Sequence, residues 1–444
     1  MIPLHSEEVR LSFLRRVGKW NLAGLVINSI VGSSIFGLPS ELTRLLGSAS
    51  TLAVLLGGVA TAVVMACFAE VASQFSEPGG PYLYARHSFG SFVGIQVGWF
   101  AWLTRVASAA ANAALFGGYF AGLVPSMGNW YGRCGVIAVA LSSVVCSNYV
   151  GVRRGAELST AAVVARLVPL LALIVLGIPL MARHPVIPSL AQIAAPGGRN
   201  WFDALLLISF LYGGYDSATM PMGEVESPRR SVPFALAIGL LTCVLVYTLC
   251  QQLVVVTIGA SGTERPLAEA AGQLLGRTGA VVISLAALIS IFGYLSAVVL
   301  NVPRLMYAMA EKGEFPSWFG RIHSKFQTPH VAIIAFGALV FVMAVTGGFR
   351  WAVAVSAGAR LLTYASVCAA VMPLRRKNPH ADALRIPLAP FFSALGILMA
   401  CVLVVRIHQK EAAVLFLTAT AATINWLFAR RYQERTLAKV NAQS

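Results

Sequence analysis

The sequence predicts an all-α polytopic membrane protein with twelve transmembrane helices, and three observations carry that prediction. Hydrophobic residues make up 57% of the 444 positions, and charged residues only 11%. Mean hydropathy is +0.76, more apolar surface than a water-soluble chain of this length can hide. The apolar residues gather in twelve runs suited to a hydrocarbon core roughly 30 Å thick.

The runs fall at 21–46, 50–75, 90–122, 133–150, 158–181, 201–225, 232–259, 279–309, 330–346, 351–373, 388–406 and 412–430. Twelve crossings put both termini on one side. With the N-terminus inside, most of the 33 Lys and Arg residues fall in cytoplasmic segments, as the positive-inside rule requires. The expected location is the cell (inner) membrane with N- and C-termini cytoplasmic. The net charge of +16 therefore orients the chain in a lipid bilayer, and no nucleic-acid partner is expected.

The segment 1–20 carries Arg10, Arg15, Arg16 and Lys19 and lacks the apolar core of a signal peptide, so the first span is expected to be retained. Cys67, Cys134, Cys146, Cys243, Cys250, Cys368 and Cys401 lie in or beside apolar runs without metal spacing. They read as small packing residues, and no metal or cofactor is expected.

Span 1 is interrupted at its centre by Gly32, Ser33, Ser34 and Gly37, with Pro39 just beyond. Glycine lowers helix propensity and proline removes a donor, which predicts two half-helices joined by unwound residues. Unwound backbone in hydrocarbon costs several kcal/mol per unpaired group, so such a break marks a cavity. The alternative is a continuous helix whose small residues allow close packing. After span 2, Ser76 to Arg86 reads as a turn and an interfacial segment, with Tyr82 and Tyr84 at headgroup depth. Pro266 to Leu275 predicts a short amphipathic helix over the external face.

Span 6 repeats the interruption: Phe210-Leu-Tyr-Gly-Gly-Tyr-Asp216, with Pro221 following. The two breaks therefore open two blocks of five spans, the pattern of an inverted-repeat transporter with a midplane site. The expected organisation is a first five-helix repeat over 21–181, an external loop over 182–200 and a second repeat over 201–373. Helices 11 and 12 occupy 374–430, and 431–444 is a cytoplasmic tail.

These residues carry a family resemblance. Gly32-Ser-Ser-Ile-Phe36, Ala69-Glu-Val-Ala-Ser-Gln-Phe-Ser-Glu-Pro-Gly-Gly-Pro-Tyr82, Tyr212-Gly-Gly-Tyr-Asp216 and Glu224-Val-Glu-Ser-Pro228 occur in order. Arg304-Leu-Met-Tyr-Ala-Met-Ala310 and Thr328-Pro329 follow. The chain resembles the amino acid–polyamine–organocation superfamily of permeases, which implies a LeuT-type 5+5 inverted repeat with discontinuous helices 1 and 6. The family's first break usually reads Gly-Ser-Gly; here the third position is Ser34.

A half-helix N-terminus suits a carboxylate and a half-helix C-terminus suits an ammonium. By this reasoning and by the resemblance, Gly32, Ser33 and Ser34 would hold an amino acid carboxylate. The carbonyls of Ile30 and Gly213 would hold its ammonium. Phe210 matches the family's aromatic gate. Asp216 is an intramembrane acid that needs a partner, either as an N-cap or as a proton-accepting gate.

Arg105, beside Thr104 in span 3, pairs with Asp216 or receives an anionic substrate group. Arg166 in span 5 matches a position where relatives carry a lysine in place of a sodium ion. A fixed positive charge there predicts sodium-independent transport, unless the arginine snorkels to the headgroups. Arg304 and Arg360 read as structural, with Glu70 and Glu224 as candidate partners.

The leading function is secondary active amino acid transport by alternating access, proton-coupled or exchanging. The alternatives are a polyamine/organocation or acidic amino acid permease, or a non-transporting amino acid receptor. The order of assembly is left open. An embedded enzyme is disfavoured, because His5, His87, His184, His323, His330, His380 and His408 all lie in loops or at span ends. Metal-ligand and nucleophile motifs are absent as well.

Overall fold

In a bilayer only internal hydrogen bonding satisfies the backbone, which leaves helices as the economical solution for apolar runs of this length. The computed structural model describes residues 17–75, 79–150, 155–218, 225–311, 313–377 and 383–441. They form helices joined by short turns, with an isolated parallel bridge between Val17 and Val225.

In chain order the helices are α1 (Lys19–Ile30), α2 (Leu38–Leu46), α3 (Ser50–Ala72), α4 (Gly80–Phe89) and α5 (Ser91–Leu123). Next come α6 (Trp130–Val150), α7 (Gly155–Arg183), α8 (Leu190–Ala194), α9 (Gly197–Leu211) and α10 (Tyr215–Ala218). The series ends with α11 (Pro228–Thr257), α12 (Pro266–Glu311), α13 (His330–Lys377), α14 (Ala389–Val405) and α15 (Gln409–Asn441). Among the described residues, eight helical stretches are long and apolar enough to cross a membrane.

Two of the longest helices bend sharply at glycine. Gly276 in α12 and Gly348 in α13 have φ of 66° and 69°, a left-handed conformation that costs other L-residues more. The bend at Gly276 sets off Pro266–Leu275 as the short helix expected there, with Leu267, Ala268, Ala270 and Ala271 buried. The bend at Gly348 joins the expected spans 9 and 10 without an intervening loop.

Helix α5 is the spine. It packs against α13, α12, α4, α15 and α6, while α1 lies along α11 and α2 against α9. Its buried stretch Val106-Ala-Ser-Ala-Ala-Ala-Asn112 presents mostly small side chains, which let neighbouring backbones approach closely. Polar cross-links reinforce the packing. Gln251 Nε2 on α11 donates to Thr43 Oγ1 at 2.8 Å and to Ser50 Oγ at 2.9 Å, holding the α2–α3 turn.

Tyr84 is buried against Phe75 inside the protein, because α4 packs onto α5 and α13. One expectation at the ends of the helices is corrected. Glu70 pairs with neither Arg304 nor Arg360. Its fully buried carboxylate binds Arg375, with Nη2 at 2.8 Å, and accepts the Ile386 N–H at 3.0 Å. Arg304 is exposed and bonds the Leu300 carbonyl of its own helix. Glu224 and Pro221 lie outside the described residues.

A second junction joins Arg86 and Tyr82 of α4 to Glu314, whose carbonyl accepts from Asn425 Nδ2 at 2.6 Å. Burial pushes the Tyr82 phenol well above its ordinary range, and the Glu314 carboxylate adds to the shift.

Removing one member of a buried charge pair costs about 3–5 kcal/mol, whereas an exposed pair is worth about 0–1 kcal/mol. Glu70→Ala is therefore expected to lower the thermal unfolding midpoint in detergent far more than Glu41→Ala, which removes an exposed partner of Arg44. Equal shifts would show that the Glu70 junction carries no special weight.

Candidate functional site

Helix α1 stops where its sequence turns small. Val31 N–H donates to the Ile27 carbonyl at 2.7 Å, and Gly32 is extended at φ −94° and ψ −170°. A single 3-10 turn, Ser33–Phe36, leads through Gly37 into α2. The second interruption follows the same logic: α9 ends at Leu211, Tyr212 to Gly214 form a turn, and α10 begins at Tyr215. Both helices are thus discontinuous at the expected residues.

The two breaks touch. Gly214 has φ of 116°, and a Cβ built there would stand 2.2 Å from the Ser29 carbonyl oxygen. Glycine is needed for both the conformation and the approach. The contact places the end of α1 against the turn between α9 and α10.

The groups expected to hold a ligand are buried here. Ser33, 1% exposed, donates its hydroxyl to Asn112 Oδ1. Asn112 Nδ2 donates to the Ser108 carbonyl at 2.8 Å, and Tyr294 donates to Ser108 Oγ at 2.7 Å. The Ile30 carbonyl accepts from the Tyr247 hydroxyl at 2.6 Å and from Gly32 N–H at 2.6 Å. Both of its lone pairs are committed in this conformation, so an ammonium there must displace a donor. Ser34 is buried beside Tyr247. Thr104 Oγ1 bonds the Phe100 carbonyl of its own helix at 2.8 Å, and its own carbonyl accepts from Ser356 at 2.9 Å.

Asp216, 8% exposed, sits immediately after the second break. Arg105 Nη2 reaches its Oδ2 at 2.6 Å, and the Tyr364 hydroxyl donates to Oδ1 at 3.1 Å. Phe68, Tyr215 and Tyr364 form an aromatic cluster beside it, with ring centroids 5.0 to 5.1 Å apart. Phe210 is buried, with the Arg360 guanidinium 5.4 Å from its ring. Arg360 Nη1 also donates to the Phe210 carbonyl at 3.3 Å.

On the other flank Arg166 is buried and donates from Nη2 to Asn28 Oδ1 at 2.7 Å. The guanidinium points into the protein rather than out to headgroups, three residues before α1 loses its helical path at Val31. Above the first break, Phe349 packs against Gly37. It borders a cavity of about 390 Å³ that is also lined by Glu41, Arg133, Glu264 and Arg350.

Sequence reasoning had not assigned Asn28, Asn112, Tyr247 or Tyr364. The signal present in the sequence was a polar side chain inside an apolar run, which in a membrane must find an internal partner. Which partner it finds depends on helix rotation. Among the described residues, no His, Cys, Asp and Glu cluster could hold a metal ion.

Comparison with known proteins adds the family. Residues 17–428 match the family described as amino acid permease. The chain belongs to that family. The permease is 28% identical over 411 residues to the serine/threonine exchanger SteT of Bacillus subtilis, covering 89% of this chain and 91% of the relative. It is 29% identical over 381 residues to an uncharacterised transporter of Mycobacterium tuberculosis, covering 84% and 83%. It is 24% identical over 395 residues to human cationic amino acid transporter 4, covering 84% of this chain and 62% of the relative. The matched family and these relatives are transporters, and the permease shares with them a chain built for the membrane.

A side chain at Gly214 is expected to cost of order 1–3 kcal/mol in backbone strain and to push the two breaks apart. Gly24 lies mid-helix with nothing within 4 Å of its Cβ position, and alanine there gains roughly 0.5–1 kcal/mol of helix stability. Thermal unfolding should show Gly214→Ala destabilised and Gly24→Ala unchanged or stabilised. A stable Gly214→Ala protein would mean that the breaks do not need this contact.

Proposed function

We propose that this permease moves amino acids across the cell membrane by alternating access, around a site formed by the two helix breaks. The observation that carries the reading is the direct packing of the Gly214 turn on Ser29, which brings two discontinuous helices together. In a bilayer, irregular backbone at such depth is tolerated where it lines protein or a cavity, and paired broken helices are the signature of midplane sites.

Twelve crossings account for the helices: α1 with α2, α3, α5, α6, α7, α9 with α10, α11, α12 beyond Gly276, the two parts of α13, α14 and α15. On this reading α1 to α7 form one five-helix repeat, and α9 through α13 form its inverted counterpart. The concentration of Lys and Arg in alternate connections supports cytoplasmic termini.

The NH and hydroxyl groups of Gly32, Ser33 and Ser34 would receive the substrate carboxylate. The Gly213 and Ile30 carbonyls would receive its ammonium as Tyr247 yields. The Arg105–Asp216 pair, braced by Tyr364, acts as an internal latch that substrate binding loosens. Phe210 lies under Arg360, which favours Phe349 over Phe210 as the aromatic that covers the first break from the vestibule.

Coupling follows from fixed charge. Arg166 holds a guanidinium beside α1, where it repels a sodium ion, and arginine keeps its proton at any physiological pH. Sodium-independent exchange is the simplest mechanism, and the likeness to a serine/threonine exchanger supports it. Asp216 is the group available for proton coupling.

Uptake of labelled amino acids into proteoliposomes preloaded with unlabelled ones tests the reading. Exchange is expected to persist when choline replaces sodium. Binding without accumulation or exchange would make the protein a receptor, and strict sodium dependence would remove the role given to Arg166.

A further inference from the structure

The charges around the two breaks do not balance. Asp216 is matched by Arg105, yet Arg360 of α13 packs against the same break with no carboxylate in ion-pair reach among the described residues. Arg360 is 6% exposed, and its Nε is buried without a hydrogen-bond partner. Its direct bonding partners are a neutral carbonyl at 3.3 Å and the face of the Phe210 ring, with Asp216 and Tyr364 felt only through longer-range charge. The guanidinium fills the space that Gly213 leaves free: a Cβ at Gly213 would stand 1.6 Å from Arg360 Nη1. Arg166, near the other break, adds a second buried guanidinium that has only an amide oxygen as partner.

An unpaired buried guanidinium is costly, and a group built to carry five N–H donors is poorly served by one long bond to a carbonyl. Among the described residues the other buried carboxylates are held elsewhere: Glu70 by Arg375 and Glu314 by Arg86, while Glu411 stands in the first turn of α15. Among the described residues the acid whose charge Arg360 senses is Asp216, and that carboxylate is already bonded to Arg105 and Tyr364. A zwitterionic amino acid does not supply the missing charge, since its ammonium cancels its carboxylate. A cationic side chain would add a further like charge.

We propose that Arg360 is the receptor for an anionic side-chain group on the substrate, making this a transporter of acidic amino acids. The inference rests on the amino acid transport reading above and deepens it. The sequence left Arg105 to pair with Asp216 or to receive an anionic substrate group; in the structure Arg105 is taken by Asp216, and the second guanidinium is the one with donors to spare. A side-chain carboxylate arriving at Gly213 would meet Arg360 in the forked geometry that arginine offers to carboxylates. Arg105 would join it wherever transport opens the pair with Asp216.

The test uses the full chain in proteoliposomes, with uptake of labelled L-glutamate, L-aspartate, L-serine and L-arginine measured in parallel. Glutamate or aspartate uptake is expected to exceed serine uptake at least tenfold, with arginine not transported. Arg360→Gln is expected to reduce the glutamate-to-serine ratio at least tenfold. Preference for serine or arginine in the wild type would overturn the proposal while leaving amino acid transport intact. Transport of none of the proteinogenic amino acids would instead overturn the functional reading beneath it. An unchanged ratio in R360Q would remove Arg360 from recognition, and should that variant not fold, the wild-type series decides alone.

Discussion

The contact on which this molecule depends is the approach of Gly214 to the Ser29 carbonyl. Two membrane helices are each interrupted, and each interruption leaves peptide groups without intrahelical partners in a medium that supplies none. Packing the interruptions against one another shields those groups and concentrates hydrogen-bonding capacity at one place. Tyr247 and Asn112 then supply donors and acceptors from α11 and α5. The surrounding helices serve as a frame that keeps the two turns in register.

Charge is handled differently at the ends of the helices and at their centre. The Glu70–Arg375 and Glu314–Arg86 junctions pair each buried acid with an arginine and add backbone bonds, so they fasten α3, α4, α13 and the chain before α14. At the centre the pairing is incomplete. Arg105 and Asp216 match, whereas Arg360 and Arg166 rest on neutral oxygens. A scaffold gains from closed pairs; a binding site gains from donors left available. The contrast separates the junctions that hold shape from the centre, where the proposed site lies.

The two broken helices were legible because Gly32, Ser33, Ser34, Gly213 and Gly214 interrupt apolar runs that would otherwise continue as helix. The Arg105–Asp216 pair was one of two open readings, since intramembrane charges must find partners but a linear sequence does not say which. Glu70 shows the same limit: its candidate partners were Arg304 and Arg360, and the arginine that meets it is Arg375. The three residues are 304, 360 and 375 in one chain, and only the rotation and tilt of α12 and α13 decide among them.

What the sequence determined by itself was the helical membrane class, the positions of the breaks and the kinship to amino acid permeases, because those follow from local propensity, hydropathy and motif order. The tertiary structure decided which side chains meet at the breaks and which cation is left over there. Arg360 looks like any other buried arginine in the chain until α13 lays its guanidinium over Gly213. Partnership in a low-dielectric interior is set by distances of a few ångströms between segments far apart in sequence, and those distances exist only once the helices have packed.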